Sequence, residues 1–180
     1  MAVPPPRRLR SHTAAAAGSA IFFAVAPGLV AGLVPWWLTG WRFETPAPYW
    51  APVRVLGGLL TIAGAIVLIS AFARFVVEGI GTPAPVAPTQ HLVVGGLHRY
   101  VRNPMYMAVT AAIIGQALLL GQLSLLPYAA TVGLLMVAFA TWYEEPALLA
   151  RFGPEYEEYC RNVPAWWPRL RPWRRHQRAR

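Results

Sequence analysis

The chain has 180 residues, of which 56% are hydrophobic and only 13% charged, about half the charge density of an average soluble domain. Long uncharged runs and a mean hydropathy of +0.41 exclude a large soluble domain and indicate a polytopic membrane protein. The formal net charge of +9 comes from 16 arginines and no lysine. These cluster at Arg7–Arg10 and Arg169–Arg180, as topology signals and contacts to anionic lipid headgroups do, so nucleic acid is not the expected partner.

One cysteine, Cys160, excludes an internal disulfide and a Cys-rich metal site. The basic then apolar N-terminus imitates a signal peptide. The apolar run from Ala14 to Trp41 is nevertheless too long for a simple signal core and reads as a retained first span.

In chain order, residues 1–13 form a Pro- and Arg-rich tail expected to be disordered. Residues 14–78 hold two spans, at about Gly18–Leu38 and Val55–Val77, each near the ~20 residues a bilayer requires. Pro27 and Pro35 predict a kink in the first, which a membrane helix tolerates when neighbours satisfy the freed carbonyls. Trp36, Trp37 and Trp41 mark an interface belt. Gly57, Gly58 and Gly64 in the second allow close helix approach. Arg74 reads as a snorkelling anchor with Glu78 one turn on.

Residues 79–168 form the unit that carries chemistry. A Pro- and Gly-rich connection leads into Gln90–Tyr106. Span three starts at Pro104 or Met105, where the missing proline N–H costs nothing, and runs to Leu120. Gly121-Gln122 breaks it, and span four covers about Ser124–Tyr143, so the two form a tight helical hairpin. Short cytoplasmic helices are expected at Pro146–Phe152 and Pro154–Asn162, then a disordered basic tail over 169–180. The fold class is therefore all-α, with about four transmembrane helices. Arginine placement puts both termini in the cytoplasm and brings two polar knots, residues 90–106 and 143–160, to one side of the membrane.

No phosphate-binding loop, dinucleotide fingerprint or nucleophile elbow is present. Ser11, Ser19, Ser70 and Ser124 all lie outside polar settings, which argues against a serine hydrolase. His91 and His98 with Glu144 or Glu145 have no metal-ligand spacing, so no metal is expected. The knots offer instead recognition of a polar zwitterion. Arg99 and Arg102 suit a carboxylate or phosphate, Glu144 and Glu145 accept from hydroxyls or an amine, and His98, Tyr100, Tyr106 and Tyr143 supply flat faces for a base or cation.

Gly81-Thr82-Pro83-Ala84-Pro85, Leu92-Val93 and Gly96-Leu97-His98-Arg99-Tyr100-Val101-Arg102-Asn103-Pro104-Met105-Tyr106 carry a pattern continued by Glu144-Glu145-Pro146, Phe152-Gly153, Glu155-Tyr156, Tyr159 and Val163-Pro164. It resembles the isoprenylcysteine carboxyl methyltransferase-like family, integral-membrane enzymes that use S-adenosyl-L-methionine and are related to phospholipid N-methyltransferases. The resemblance covers about residues 70–168. It implies a cofactor site of Gln90, His91, Leu92, Val93, His98, Asn103, Pro104, Met105, Tyr106, Glu144 and Glu145, with Arg102 and Tyr106 positioning the reactants. His98 stands where the family has Tyr, and Asn103 where it has His. Ala140 stands where eukaryotic members place an Arg thought to meet the substrate carboxylate, so the resemblance carries the cofactor site, while a prenyl-cysteine substrate would lack that partner.

The implied activity is methyl transfer, mainly a matter of positioning, to a lipophilic or small apolar acceptor arriving from the bilayer. Arg74 and Gln116 are candidates to line its route, and membrane lipids are the expected surroundings. The implied location is a bacterial inner membrane. Competing readings are a non-catalytic membrane scaffold, a nicotinamide-dependent reductase of the sterol reductase kind and a transporter.

Overall fold

The computed structural model describes residues 25–74 and 92–174. Among these every regular element is helical: α1 Val25–Thr39, α2 Ala51–Arg74, a 3₁₀ turn at Gly96–Arg99, α3 Pro104–Leu120, α4 Leu125–Phe139, α5 Glu145–Phe152 and α6 Pro154–Asn162. Gln90, His91, Glu78 and most of the Pro-rich connection lie outside the described residues.

Helix α2 shows why this chain is not built for water. Two stripes run along it at alternating spacings of four and three residues, the spacing that puts side chains on one helix face. One stripe, Val55, Leu59, Ile62, Ile66 and Ile69, is more than half exposed. The other, Gly57, Thr61, Gly64, Leu68 and Ala71, is small at its start and faces α3. A soluble helix would bury the bulky stripe; here it points outward, as expected where the solvent is hydrocarbon.

In lipid, leaving the solvent gives apolar side chains little, and close packing drives helix association. A Cβ on Gly57 would sit 2.7 Å from the Gly115 carbonyl oxygen, and one on Gly64 2.8 Å from that of Ala108. Glycine at these two positions is what lets the α2 and α3 backbones touch. Gly58 is different, because a Cβ there would meet only the Leu119 side chain at 3.6 Å. Leu68, Val109, Ile113, Leu125, Ala129 and Val132 form the core where α2, α3 and α4 meet.

The carbonyls that Pro35 and the π-turn leave bare in α1 are satisfied by neighbours, as expected. A π-turn at Leu29–Leu33 precedes Pro35, and the Val34 N–H reaches back to Leu29, which leaves the Val30 carbonyl free. Pro35 has no N–H for the Ala31 carbonyl. Tyr128 Oη donates to Val30 O at 2.8 Å, and Gln116 Nε2 donates to Ala31 O at 2.7 Å. Gln116 is a buried brace for α1; the sequence named it instead as a candidate to line an acceptor route. The Arg74 side chain lies outside the described residues.

Two of the helices, Ala51–Ala71 and Leu125–Phe152, are long and apolar enough to cross a membrane, while Val25–Thr39 and Pro104–Leu120 are shorter. Seventeen residues of α3 rise about 26 Å, just under a ~30 Å hydrocarbon core. Residues 121–124 join α3 to α4, which pack on each other. Gly121 takes φ +74° and ends α3 in a left-handed cap.

The expected break after Tyr143 does not occur. α4 continues through a π-turn, Ala140–Glu144, into α5, so Leu125–Phe152 is one helical run. Pro146 has no N–H for the preceding turn and would press on a carbonyl there. The wider turn absorbs this without ending the helix.

Candidate functional site

The site grows from the first turn of α3. Pro104 opens that helix, which leaves the preceding residues extended and able to pair with another strand of chain. The C-terminal strap after α6 takes that role. The Arg102 N–H donates to Pro164 O at 3.0 Å and the Asn103 N–H to Ala165 O at 3.3 Å. The strap returns the bonds further on, with Arg169 N–H donating to Tyr100 O at 3.0 Å and Trp173 N–H to Arg99 O at 2.9 Å. Those two carbonyls close the 3₁₀ turn and have no helical continuation to serve, so they require outside donors. Residues 169–173 are thus tied to the core, contrary to the expected disorder of the whole tail from Arg169.

Across the cleft stands the π-turn of the Leu125–Phe152 run. Two side-chain bonds bridge the gap. Tyr106 Oη donates to Glu144 Oε2 at 2.7 Å, and Arg102 Nη2 donates to Glu145 Oε1 at 2.9 Å. The Arg102 and Glu145 side chains are 15% and 30% exposed, so this ion pair is only partly screened by solvent. Arg102 Nε is buried and has no hydrogen-bond partner among the described residues. A donor in that state is costly unless a ligand supplies the acceptor.

The floor is built by α6. Tyr156 and Tyr159 are one turn apart on its buried face and pack with Val163, Leu92 and Leu148. Tyr159 Oη donates to the His98 carbonyl at 2.7 Å, which pins the 3₁₀ turn. Burial pushes both phenols well above the usual tyrosine range, with the neighbouring Cys160 adding to it and the Arg102 charge opposing it. Both remain neutral hydrogen-bond donors at any physiological pH.

One cleft of about 640 Å³, counting its open mouth, is lined by Leu92, Val93, His98, Arg102, Asn103, Pro104, Met105, Tyr106, Glu144 and Glu145. Each residue of the cofactor site implied by the resemblance that the structure describes lines this cleft, while Gln90 and His91 are outside the described residues. Three further residues line it, Leu148, Tyr156 and Tyr159; the two tyrosines stood in the second polar knot and the family pattern without a site role, which their i, i+3 spacing could have supplied. Arg99 is spent elsewhere, its Nε donating to Trp173 O at 2.8 Å. Tyr143 stacks on Phe139 at 5.1 Å between ring centroids, and Tyr100 faces a neighbouring apolar cavity.

A second, more open cavity, of about 790 Å³ on the same footing and almost wholly apolar, adjoins the cleft between α2, α3 and α4. Leu60, Met107, Ala111, Ile114, Met136 and Val137 line it, together with Tyr106 and Trp166. Tyr106 lines both spaces. The Trp166 ring stacks on it at 6.4 Å between centroids and 26° between planes. No sequence signal marked Trp166, because nothing periodic links it to Tyr106.

With this geometry in hand, comparison with known families is decisive for class. A family profile described as phospholipid methyltransferase matches residues 53–155, more than half the chain. The chain belongs to the phospholipid methyltransferase family. This is the family group that the sequence motifs resembled. The matched stretch covers α2 from Val53 on, α3, α4 and α5, and all the cleft residues of the α3 first turn and the π-turn. Membership carries methyltransferase activity in general and an integral-membrane setting. No curated protein matches the chain.

Proposed function

We propose that the protein is an S-adenosyl-L-methionine-dependent methyltransferase whose acceptor is lipophilic or small and apolar. The observation that carries the reading is that Tyr106 lines both the cleft that holds Arg102, Glu144 and Glu145 and an apolar cavity. A charged cofactor and an apolar acceptor would meet there.

The donor set of the cleft fits that cofactor. The partnerless Arg102 Nε suits a carboxylate, Glu144 and Glu145 suit ribose hydroxyls or an ammonium group, and Leu92, Val93 and Leu148 suit the face of a purine. The enclosed part of the cleft is narrow, about 70 Å³, less than a nucleoside needs. Binding would therefore spread the two side-chain bridges and use the open mouth.

The cofactor, when bound, supplies an electrophilic methyl group on a sulfonium. The protein's part is then to hold the reactants in line and exclude water. Tyr106 orients at the junction, itself held by Glu144 at 2.7 Å. Arg102 is fixed at both ends, by Glu145 and by the strap. An anionic or thioether acceptor needs no base; for an amine or thiol, Glu144 offers a proton acceptor at the same junction. In this reading α1 to α4 are four spans, α3 and α4 form a hairpin, and the cleft opens to the cytoplasm.

The test is calorimetric binding of S-adenosyl-L-methionine and S-adenosylhomocysteine to the detergent-purified protein, with Glu144→Ala and Tyr106→Ala beside it. Saturable binding weakened in both variants supports the cofactor. A folded protein that binds neither compound overturns it.

A further inference from the structure

We propose that the C-terminal strap, residues 163–174, docks on an anionic lipid surface beside the cleft through Trp167, Leu170, Arg171 and Arg174. The strap is held to the core along its length, from Arg102 N–H on Pro164 O to Trp173 N–H on Arg99 O. Its side chains divide by direction. Trp166 and Pro168 line the two apolar cavities, while Trp167 is 83% exposed and Leu170 98% exposed. Arg171 and Arg174 are exposed beside them.

The level of the strap relative to a bilayer follows from contacts already described. Along the Leu125–Phe152 run, the exposed side chains pass from Leu134, Leu135 and Phe139 to Trp142 and Tyr143, and the half-buried Glu144 and Glu145 follow them. That succession is an apolar face, an aromatic belt and a polar edge, which is how a span leaves hydrocarbon for headgroups. Tyr106 bonds to Glu144, and Trp166 stacks on Tyr106. The strap is thereby fixed at the height of the polar edge, and Trp167 adjoins the residue that fixes it. A tryptophan and a leucine left almost bare at that height match the interfacial zone.

Charge selects the occupant. Residues 163–174 contain Arg169, Arg171 and Arg174 and no acidic residue. Basic residues at the cytoplasmic surface are attracted by anionic headgroups, each by about 1 kcal/mol. An apolar protein partner would need the two bare side chains but not the arginines. Docking also holds Trp166 in place, and with it the wall of the cavity that Tyr106 shares.

The proposal stands or falls without any methyl transfer being measured. Full-length protein carrying Cys160→Ser and Trp167→Cys is labelled with an environment-sensitive fluorophore and placed in nanodiscs of phosphatidylcholine, with or without phosphatidylglycerol. A second preparation labels Leu170→Cys. If Cys160→Ser does not fold, Cys160 is kept and its signal subtracted using the labelled wild type. The expected result is quenching by headgroup-level spin labels and protection from an aqueous quencher, both greater with phosphatidylglycerol. Arg171→Ser with Arg174→Ser removes the increment due to anionic lipid. Full access to the aqueous quencher at both positions overturns the proposal. So does protection without headgroup quenching, which would mean that protein, including a second copy of this chain, covers the strap.

Discussion

The two ends of α3 use the same residue types for different ends. At its C-terminus, Trp50 Nε1 donates to Leu118 O at 3.0 Å, Arg54 Nε to Leu119 O at 3.1 Å and Glu44 N–H to Leu120 O at 2.7 Å. Arg54 also reaches Glu44 O at 2.8 Å, and Gln122 Nε2 bonds both Arg42 O and Glu44 Oε1. Five of these six bonds go to backbone carbonyls, and three of the five are the Leu118, Leu119 and Leu120 carbonyls that the helix end leaves bare. At the N-terminus, Arg102 and Tyr106 bond the carboxylates of Glu145 and Glu144 across a cleft. Side chains spent on carbonyls close a structure. Side chains spent on each other around open space can exchange that partner for a ligand.

The comparison is broken most directly at Glu144. Glu144→Ala removes the acceptor of the Tyr106 hydroxyl and one carboxylate of the cleft. A hydrogen bond to a charged group is worth roughly 1.5–3 kcal/mol, so S-adenosylhomocysteine affinity should fall by about 10- to 150-fold in calorimetry. The melting temperature should change little. Unaltered affinity would place the cofactor elsewhere.

Next in size is Gly57→Leu, which tests the scaffold alone. Its Cβ would overlap the Gly115 backbone, so α2 and α3 must separate, and overpacking of this kind costs about 1–3 kcal/mol. Thermal or denaturant unfolding in detergent should report the loss. The fraction that remains folded should bind cofactor normally, because Gly57 is far along α2 from the cleft residues. Arg54→Ala is the matching change in the polar cluster. It removes two bonds from a half-buried guanidinium, and about 1 kcal/mol of stability should go with them. If Arg54→Ala instead weakened cofactor binding as Glu144→Ala does, the division between closing and exchanging ends would fail.

Much of this division was legible in the residues. Apolar run length located α2, α3 and α4, and Pro104 and Gly121 marked the limits of α3 where the structure has them. The cluster Arg102–Tyr106 with Glu144 and Glu145 stood out because little else in the interior is polar. Three features were hidden for physical reasons. A proline after polar residues reads as a helix end, yet the π-turn before Pro146 carries the helix on to Phe152. A basic tail reads as unstructured, yet the Arg99 and Tyr100 carbonyls recruit its N–H groups. Trp166 meets Tyr106 across sixty residues of chain, and no local pattern encodes such a contact.

The smallest effect sharpens the account of the first helix and its π-turn. Gln116 spends one amide on Ala31 O at 2.7 Å and, more weakly, on Ala112 O at 3.4 Å. Gln116→Leu keeps the volume but leaves the Ala31 carbonyl without a donor, because Pro35 cannot supply one. Side-chain hydrogen bonds between membrane helices average about 0.6 kcal/mol, so the expected loss is of that size and near the limit of detection. Combining Gln116→Leu with Pro35→Ala decides the cause. Alanine restores an N–H four residues after Ala31, so the double variant should regain what the single one lost. Cofactor affinity should stay at the wild-type value in both, since neither residue lines the cleft. A cost that persists when the N–H is restored would assign Gln116 a role other than bracing α1, and would reopen it as a wall of the acceptor's path.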